Sequence, residues 1–296
     1  MPNTGRRRGT RATSERVQGI RNTILASFFL GWAPILGKLA YAQGVAPFTL
    51  VTVRTLVAVM LLWAGYAILG RAWLRITWRG LLGCIAVGVV NGIGSLLYYS
   101  SLAWLDASLA SFLNTLYLLW VVIFLTASGE RLHWLTLVRI GLAMVGIYLL
   151  TGTSTGEPDW LGAMLMVASA ATYGWHLVLG QWVLADVPSR TATPYILTAM
   201  AATVGVARVI QGSTLEVISL AGWEAIAALG ITTVLSRALM FAGLQRLGGT
   251  EAALVSLLEL LVSLGLAFLL LGERLTPLQW IGGVVLIIGI LLGERQ

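Results

Sequence analysis

The chain is poor in charge: only 10% of its 296 residues are charged, whereas 58% are hydrophobic. A soluble domain carries roughly 25% charged residues, because its surface has to face water. The low value excludes an ordinary soluble globular protein, since folding in water would leave too much apolar surface exposed. It predicts an all-α polytopic membrane protein whose outer surface faces lipid.

Residues that build catalytic or metal centres are also scarce. The single cysteine, Cys84, excludes an internal disulfide, a multi-cysteine metal site and a CxxC motif. Neither of the two histidines, His133 and His176, belongs to a nucleophile–base set or a metal-ligand pattern, and no phosphate-binding loop stands out. We therefore expect no metal, no cofactor and no enzymatic activity. An integral-membrane enzyme acting on lipid-linked substrates is kept as an alternative.

The formal charge of +7 comes from arginine, because Lys38 is the one lysine. Nucleic-acid binding would require a basic stripe on a folded face. Here the arginines cluster in the polar residues 1–20 and in short loops between apolar runs. Fourteen of them fall on one side of the predicted spans and one, Arg274, on the other. The asymmetry predicts two cytoplasmic termini, a flexible cytosolic tail over 1–20 and no nucleic-acid partner.

A membrane-spanning helix needs about 20 largely apolar residues. Turn residues such as Gly44, Pro47, Pro158 and Pro188 divide the apolar sequence into stretches of about that length. The ten predicted spans are 21–41, 47–69, 79–103, 108–128, 134–151, 159–185, 191–211, 221–246, 250–271 and 276–293.

The second half of the chain repeats features of the first. The tetrapeptide GERL stands at 129–132 and again at 272–275, and Gly-Trp stands at 31–32 and 174–175, both at an offset of 143 residues. Five spans per half is an odd number, so the halves are expected to insert with opposite orientations and to form a site between them near the midplane. The predicted organisation is a tail over 1–20, a first five-helix repeat over 21–151 and a second over 152–296.

These residues resemble a known family. The features that carry the likeness are GWAP at 31–34, Lys38, Pro47, Arg54 and the LLLGERLT segment before a glycine-rich last helix. Over about residues 20–293 the chain resembles the EamA-type exporters of the drug/metabolite transporter superfamily, and most of all the bacterial aromatic amino-acid exporters. Members often carry a proline just after the glutamate of the ninth span, where this chain has Leu260, and Tyr117 at the equivalent place in the first half.

The resemblance implies a multi-pass protein of the bacterial inner membrane that exports small metabolites, most of all amino acids, by alternating access. Its partners would be a small-molecule substrate and the lipid bilayer. A multidrug or lipophilic-cation exporter of the same architecture is the main alternative. The energy source and the oligomeric state, a monomer included, stay open.

Polar and aromatic residues at helical spacing predict a substrate cavity lined by spans one, three, four, six, eight and nine. The alternative is that these residues only pack membrane helices together, because small and hydroxyl residues are common at such contacts. Lys38 could attract a substrate carboxylate or extend to the interface, Arg54 could also extend outward, and Arg208 is given no role. The predicted cavity residues are Trp32, Lys38, Asn91, Ser95, Tyr98, Tyr99, Asn114, Tyr117, Tyr173, Trp175 and His176.

Two further charges lie deep in predicted spans. Arg237 precedes the end of span eight at Arg246 by nine residues, and Glu259 follows the start of span nine at Thr250 by nine residues. They therefore reach similar depths, where an uncompensated charge is costly. We expect either an Arg237–Glu259 ion pair or a shared watery cavity, with a gating or structural role; a permanent salt bridge locking the two spans is the alternative.

Overall fold

The computed structural model describes residues 4–69, 74–129, 134–151, 159–212 and 217–291, and within these ranges every regular element is helical. Long apolar segments form helices in lipid because a helix satisfies its backbone hydrogen bonds internally. In chain order the helices are α1 (Thr4–Gly31), α2 (Ala33–Ala42), α3 (Pro47–Leu69), α4 (Trp78–Leu102), α5 (Ala107–Asn114), α6 (Tyr117–Ala127), α7 (Trp134–Thr151), α8 (Trp160–Asp186), α9 (Ser189–Gln211), α10 (Leu220–Leu247), α11 (Gly249–Val255), α12 (Leu258–Leu266) and α13 (Pro277–Leu291).

Eight of the ten predicted spans correspond to segments that are long and apolar enough to cross a membrane. Three of the eight consist of more than one helix: α1 with α2, α5 with α6, and α11 with α12 and a π-helical turn at Ala267–Leu271. The other two predicted spans are α7 and α13, with 18 and 15 described residues, and they are not among these eight segments. The described part of α13 extends about 22 Å, against a hydrocarbon thickness of about 30 Å.

The amino-terminal residues differ from the flexible tail that the composition predicts. Helix α1 begins at Thr4 and continues without interruption through the arginine-rich segment into the apolar span. Arginine is a good helix former, so a helix that is stabilised by packing further along can extend through such a segment.

Each half of the molecule contributes one helix to the centre of the bundle. Helix α4 packs against α8 and α9, while α10 packs against α1 and α3. Helix α6 packs against α8, and α12 packs against α1. When each span is replaced by its counterpart in the other predicted half, the pairs α4–α8, α4–α9 and α6–α8 become the pairs α10–α1, α10–α3 and α12–α1. Helix α13 packs mainly against α7.

The repeated Gly-Trp dipeptide marks two close helix contacts. A Cβ added at Gly31 would lie 2.6 Å from Val262 side-chain atoms and 3.0 Å from the Glu259 carbonyl oxygen. A Cβ added at Gly174 would lie 2.9 Å from the Tyr117 carbonyl oxygen. Each glycine therefore lets its helix approach the backbone of a neighbouring span, which a side chain would prevent.

Spans four and nine are interrupted near their middle without a proline. Between α5 and α6, the amide of Thr115 donates to the carbonyl of Phe112 at 3.1 Å. Between α11 and α12, the amide of Glu259 donates to the carbonyl of Ser256 at 2.9 Å. These are 3₁₀-type bonds, which tighten one turn and often mark a hinge. The Thr115 and Ser256 hydroxyls also bond to preceding carbonyls, and such bonds bend helices.

The second GERL copy links the end of span nine to the start of span four. Gly272 ends the π-helical turn with φ of 68°, a left-handed conformation that favours glycine. The carboxylate of Glu273 accepts hydrogen bonds from the backbone amides of Ala107 at 2.9 Å and Ser108 at 2.8 Å. A carboxylate at a helix N-terminus satisfies free amides and complements the helix dipole. In the first copy only Gly129, with φ of 113°, is described, and 130–132 lie outside the described residues.

Candidate functional site

A cavity lies inside the bundle, bounded by residues of α1, α2, α3, α4, α5, α8, α10 and α12. The cavity volume available to the centres of water molecules is about 80 Å³. Roughly 10–15 Å³ of this measure holds one water, so several fit. The lining contains residues of every predicted cavity span, one, three, four, six, eight and nine, and it adds Arg54 from span two.

Arg54 on α3 is held rigidly at the cavity wall. Its Nη1 donates to Thr233 Oγ1 and its Nη2 donates to Ser95 Oγ, both at 2.8 Å. Its guanidinium carbon lies 4.5 Å from the centroid of the Tyr99 ring, which adds a cation–π contact. The side chain is only 4% exposed, and its Nε has no hydrogen-bond partner within the ranges that the structure describes.

Arg237 on α10 stands one helical turn beyond Thr233, on the same face of its helix. Its guanidinium carbon lies 5.5 Å from the centroid of the Tyr173 ring on α8. Arg237 is 8% exposed, and within the described residues its buried Nη1 and the buried Tyr173 hydroxyl have no hydrogen-bond partner. Both arginines therefore line one cavity, and each has a buried donor without a partner in the described part of the chain.

Glu259 occupies the first turn of α12, directly after the interruption of span nine, and is 8% exposed. Asn114, the last residue of α5 before the interruption of span four, donates its Nδ2 to Glu259 Oε1 at 3.3 Å. Among the described residues no salt bridge within 4.0 Å joins Glu259 to Arg237; both groups line the shared cavity instead.

Several other predicted residues also meet at the cavity. Asn91, Ser95, Tyr98 and Tyr99 line it from α4, and the Asn91 amide lies 3.4 Å from the sulfur of Met200. The Tyr98 and Tyr99 rings pack edge to face with centroids 5.1 Å apart. This helix therefore supplies amide, hydroxyl and aromatic groups to one wall.

Five predicted cavity residues are not among the cavity's lining residues. Lys38 and Trp32 lie on span one but outside the lining, so Lys38 supplies no charge to the cavity wall. The Tyr117 hydroxyl donates to the carbonyl of Ala253 at 3.0 Å, so this side chain joins spans four and nine. Trp175 packs against Phe124, with centroids 5.1 Å apart, on the opposite side of α8 from Tyr173. His176 is fully buried behind the wall, where its ring stacks on Tyr173.

Two sets of cavity-lining residues were not predicted from the sequence. Arg54 was treated as able to extend to the interface, although a charge within a span is a functional candidate by default. The spacing of Thr233 and Arg237, with Ser236 beside them, also gives α10 a polar stripe at helical spacing that faces the cavity. Both signals were present in the sequence.

In the part of the chain that the structure describes, no cluster of three or more histidine, cysteine, aspartate or glutamate residues could hold a metal ion. The comparisons with known proteins show the broad class of the chain. The model of the EamA-like transporter family matches residues 18–152 and again residues 160–293. The chain belongs to the EamA-like transporter family. It is therefore a multi-pass membrane transporter, a class of protein that generally has no enzymatic activity.

Individual relatives of this EamA-like transporter agree with the family match. The "Uncharacterized transporter YcbK" of Bacillus subtilis (strain 168) is 27% identical over 258 residues, covering 83% of this chain and 82% of that protein. A crystal structure of another protein superposes with a TM-score of 0.68 at 19% identity, covering 95% of this chain and 96% of the other. The second likeness concerns the fold alone.

Proposed function

We propose that this EamA-like transporter exports amino acids, aromatic ones included, across the bacterial inner membrane by alternating access through the cavity. The observation that carries the proposal is the composition of the cavity wall. Charges of both signs, Arg54, Arg237 and Glu259, stand together with amides, hydroxyls and three tyrosine rings within one membrane-buried space. An amino acid presents both charges and a side chain, so it can use each kind of group.

The apolar part of the wall suits an aromatic or aliphatic side chain. Phe29, Leu30 and Pro34 from span one line the cavity together with Tyr98 and Tyr99. Aromatic rings offer large contact areas with few rotatable bonds, which favours binding of planar side chains. A mixed wall of this kind also tolerates several side chains, as expected for a transporter of broad specificity.

Charge balance argues against the alternative of a lipophilic-cation exporter. The wall holds two guanidinium groups and one carboxylate, and both arginines keep unpaired buried donors. A cation entering this space would meet more positive than negative charge in a medium that screens poorly. Selection against a substrate commonly works through such repulsion.

The contact pattern favours an organisation in two repeats, while the ten crossings and the cytoplasmic termini rest on the apolar runs and the arginine distribution of the sequence. Helix pairs interchange when the halves are exchanged, and spans four and nine are interrupted at corresponding positions of the two predicted repeats. Interrupted helices at corresponding places of two repeats are typical of transporters that rock one repeat against the other. We place the moving hinges at Thr115 and Ser256, beside Asn114 and Glu259.

Each end of span nine carries a contact that can serve as a gate. At its start, Glu251 accepts two hydrogen bonds from Arg16 of α1, at 2.9 and 2.7 Å, and this pair is exposed. At its end, Glu273 caps α5 through Ala107 and Ser108. Contacts at opposite ends of one helix can break alternately, which is what alternating access requires.

The test is counterflow in proteoliposomes that hold the purified transporter. Vesicles loaded with unlabelled phenylalanine should accumulate labelled phenylalanine, and other amino acids should compete while tetraphenylphosphonium should not. Tyr98→Ala, which alters the wall, should reduce the rate, whereas Trp182→Ala, outside the cavity and 45% exposed, should not. Accumulation of the cation, or a flux that the two variants leave equal, would contradict the proposal.

A further inference from the structure

Four buried polar side-chain atoms have no hydrogen-bond partner within the described residues, and they cluster. They are Arg54 Nε, Arg237 Nη1, the Tyr173 hydroxyl and His176 Nε2. The first three belong to residues that line the cavity. Buried polar groups in folded proteins are nearly always paired, so such a cluster requires a physical explanation.

The two arginines are arranged to act on one group. Thr233 fixes the guanidinium of Arg54 beside α10, and Arg237 stands four residues further along that helix. Residues at this spacing share one helix face with Cβ atoms about 5–6 Å apart. Tyr173 lies under Arg237, with its ring centroid 5.5 Å from the guanidinium carbon. Arg54 of α3, Tyr173 of α8 and Arg237 of α10 therefore line the same cavity, and each has one buried donor without a partner among the described residues.

The remaining anion of the wall, Glu259, lies near this cluster without pairing directly with it. Glu259 is bonded to Asn114 on the interrupted spans and forms no salt bridge with either arginine. Removing a charge from water costs several kcal/mol unless an opposite charge or hydration compensates. A bound anion would supply that compensation, and a planar carboxylate matches the two-pronged donor geometry of guanidinium.

We propose that Arg54 and Arg237, with the Tyr173 hydroxyl, form a carboxylate-binding site that holds the acidic group of the transported molecule. Glu259 and Asn114 then face the other end of the molecule, where an ammonium group is the matching donor. The proposal rests on the proposed function for the nature of the cargo. It replaces Lys38, which is outside the cavity lining, with two arginines from different halves.

Ligand-dependent thermal stabilisation of the detergent-purified transporter tests the site independently of transport. The probes share one side chain: phenylalanine, phenylalaninamide and 3-phenylpropanoate, with inorganic phosphate as a second anion. Phenylalanine and 3-phenylpropanoate should raise the unfolding temperature, and the amide should bind at least about tenfold more weakly, since it lacks the charge. This comparison needs no variant that has to fold.

Variants then assign the effect to the arginines. Arg237→Gln should weaken both carboxylates about ten- to hundredfold and abolish the preference over the amide. Arg237→Lys, which keeps the charge but loses the forked geometry, should give a smaller loss. Arg208→Gln on α9, outside the cavity lining, is the matched control and should bind as the parent does.

The outcomes separate this inference from the amino-acid proposal. Binding of 3-phenylpropanoate that depends on Arg237, without binding or counterflow of phenylalanine, would support the carboxylate site and refute amino-acid transport. Equal binding of acid and amide, or equal carboxylate binding by the parent and Arg237→Gln, would overturn the site even if amino acids are transported. Failure of both carboxylates to bind, or tighter binding of phosphate than of either, would overturn it as well.

Discussion

Glu273 is expected to hold one end of the bundle closed. Two hydrogen bonds determine how much free energy it contributes to the closed conformation. Its carboxylate accepts the amides of Ala107 and Ser108 at 2.9 and 2.8 Å. Hydrogen bonds to charged groups contribute about 1.5–3 kcal/mol each. Glu273→Gln keeps one carbonyl acceptor and loses the charge, and the site is partly exposed, so we expect a net loss of about 1–2 kcal/mol.

This loss should appear as a shift between conformations. If the contact exists only while this end is closed, 1–2 kcal/mol raises the open population roughly 5–30-fold. Replacing the only cysteine, the buried Cys84, by alanine gives a background free of thiols. Ser111→Cys then places a reporter on the cavity wall, one turn from Ala107. Its labelling rate by an impermeant maleimide, supplied on each side of the membrane in turn, should rise by that factor from one side.

Asp106 provides the control for this experiment. It occupies the N-cap position of the same helix, α5, yet its side chain makes no capping hydrogen bond. Asp106→Asn therefore removes one negative charge from the same place without removing the contact. Equal labelling in the parent and in Glu273→Gln, or an equal rise with Asp106→Asn, would refute the prediction that Glu273 holds this end of the bundle closed.

Three further predictions concern packing and charge. Gly31→Ala should lower the unfolding temperature in a thermal melt, because overpacking costs about 1–3 kcal/mol. The control Gly65→Ala, where nothing lies within 4 Å of the added Cβ, should leave the unfolding temperature unchanged. Equal unfolding temperatures of the two variants would contradict the close contact at Gly31. Arg16→Gln should change stability by no more than about 1 kcal/mol, because the Arg16 side chain is 68% exposed; a large drop in the same melt would refute this. Lys38→Gln should leave phenylalanine counterflow intact, because Lys38 is outside the cavity lining. Loss of counterflow in a normally folded variant would show that Lys38 takes part in transport.

The lengths of the apolar runs predicted eight membrane-spanning segments, because lipid leaves the backbone few alternatives to a helix. Seven of these segments agree with the predicted bounds within two residues, and the first begins earlier, at Ser14. The interruptions of spans four and nine were harder to predict: members of the family often carry a proline there, and this chain has Leu260 and Tyr117 instead. The structure bends these spans through 3₁₀ turns and hydroxyl bonds, whose effect depends on tertiary packing.

The sequence predicted which helices line the cavity better than it predicted which residues line it. Asn91, Tyr98, Asn114 and Glu259 face it, because polar residues in a span turn away from lipid. Periodicity alone does not distinguish a residue at the cavity wall from one a single layer behind it. His176 and Tyr117 are accordingly polar, buried and outside the lining, while Arg54 was underestimated because its serine and threonine partners lie on distant parts of the chain.

Substrate protection of the cavity reporter tests the central claim most directly. In the Cys84→Ala, Ser111→Cys transporter, labelling should slow as phenylalanine is added, with half-maximal protection at the concentration that half-saturates counterflow. Phenylalaninamide at the same concentrations should protect little. Undiminished labelling at concentrations that saturate counterflow would contradict the account, because the substrate would then cross the membrane by another route.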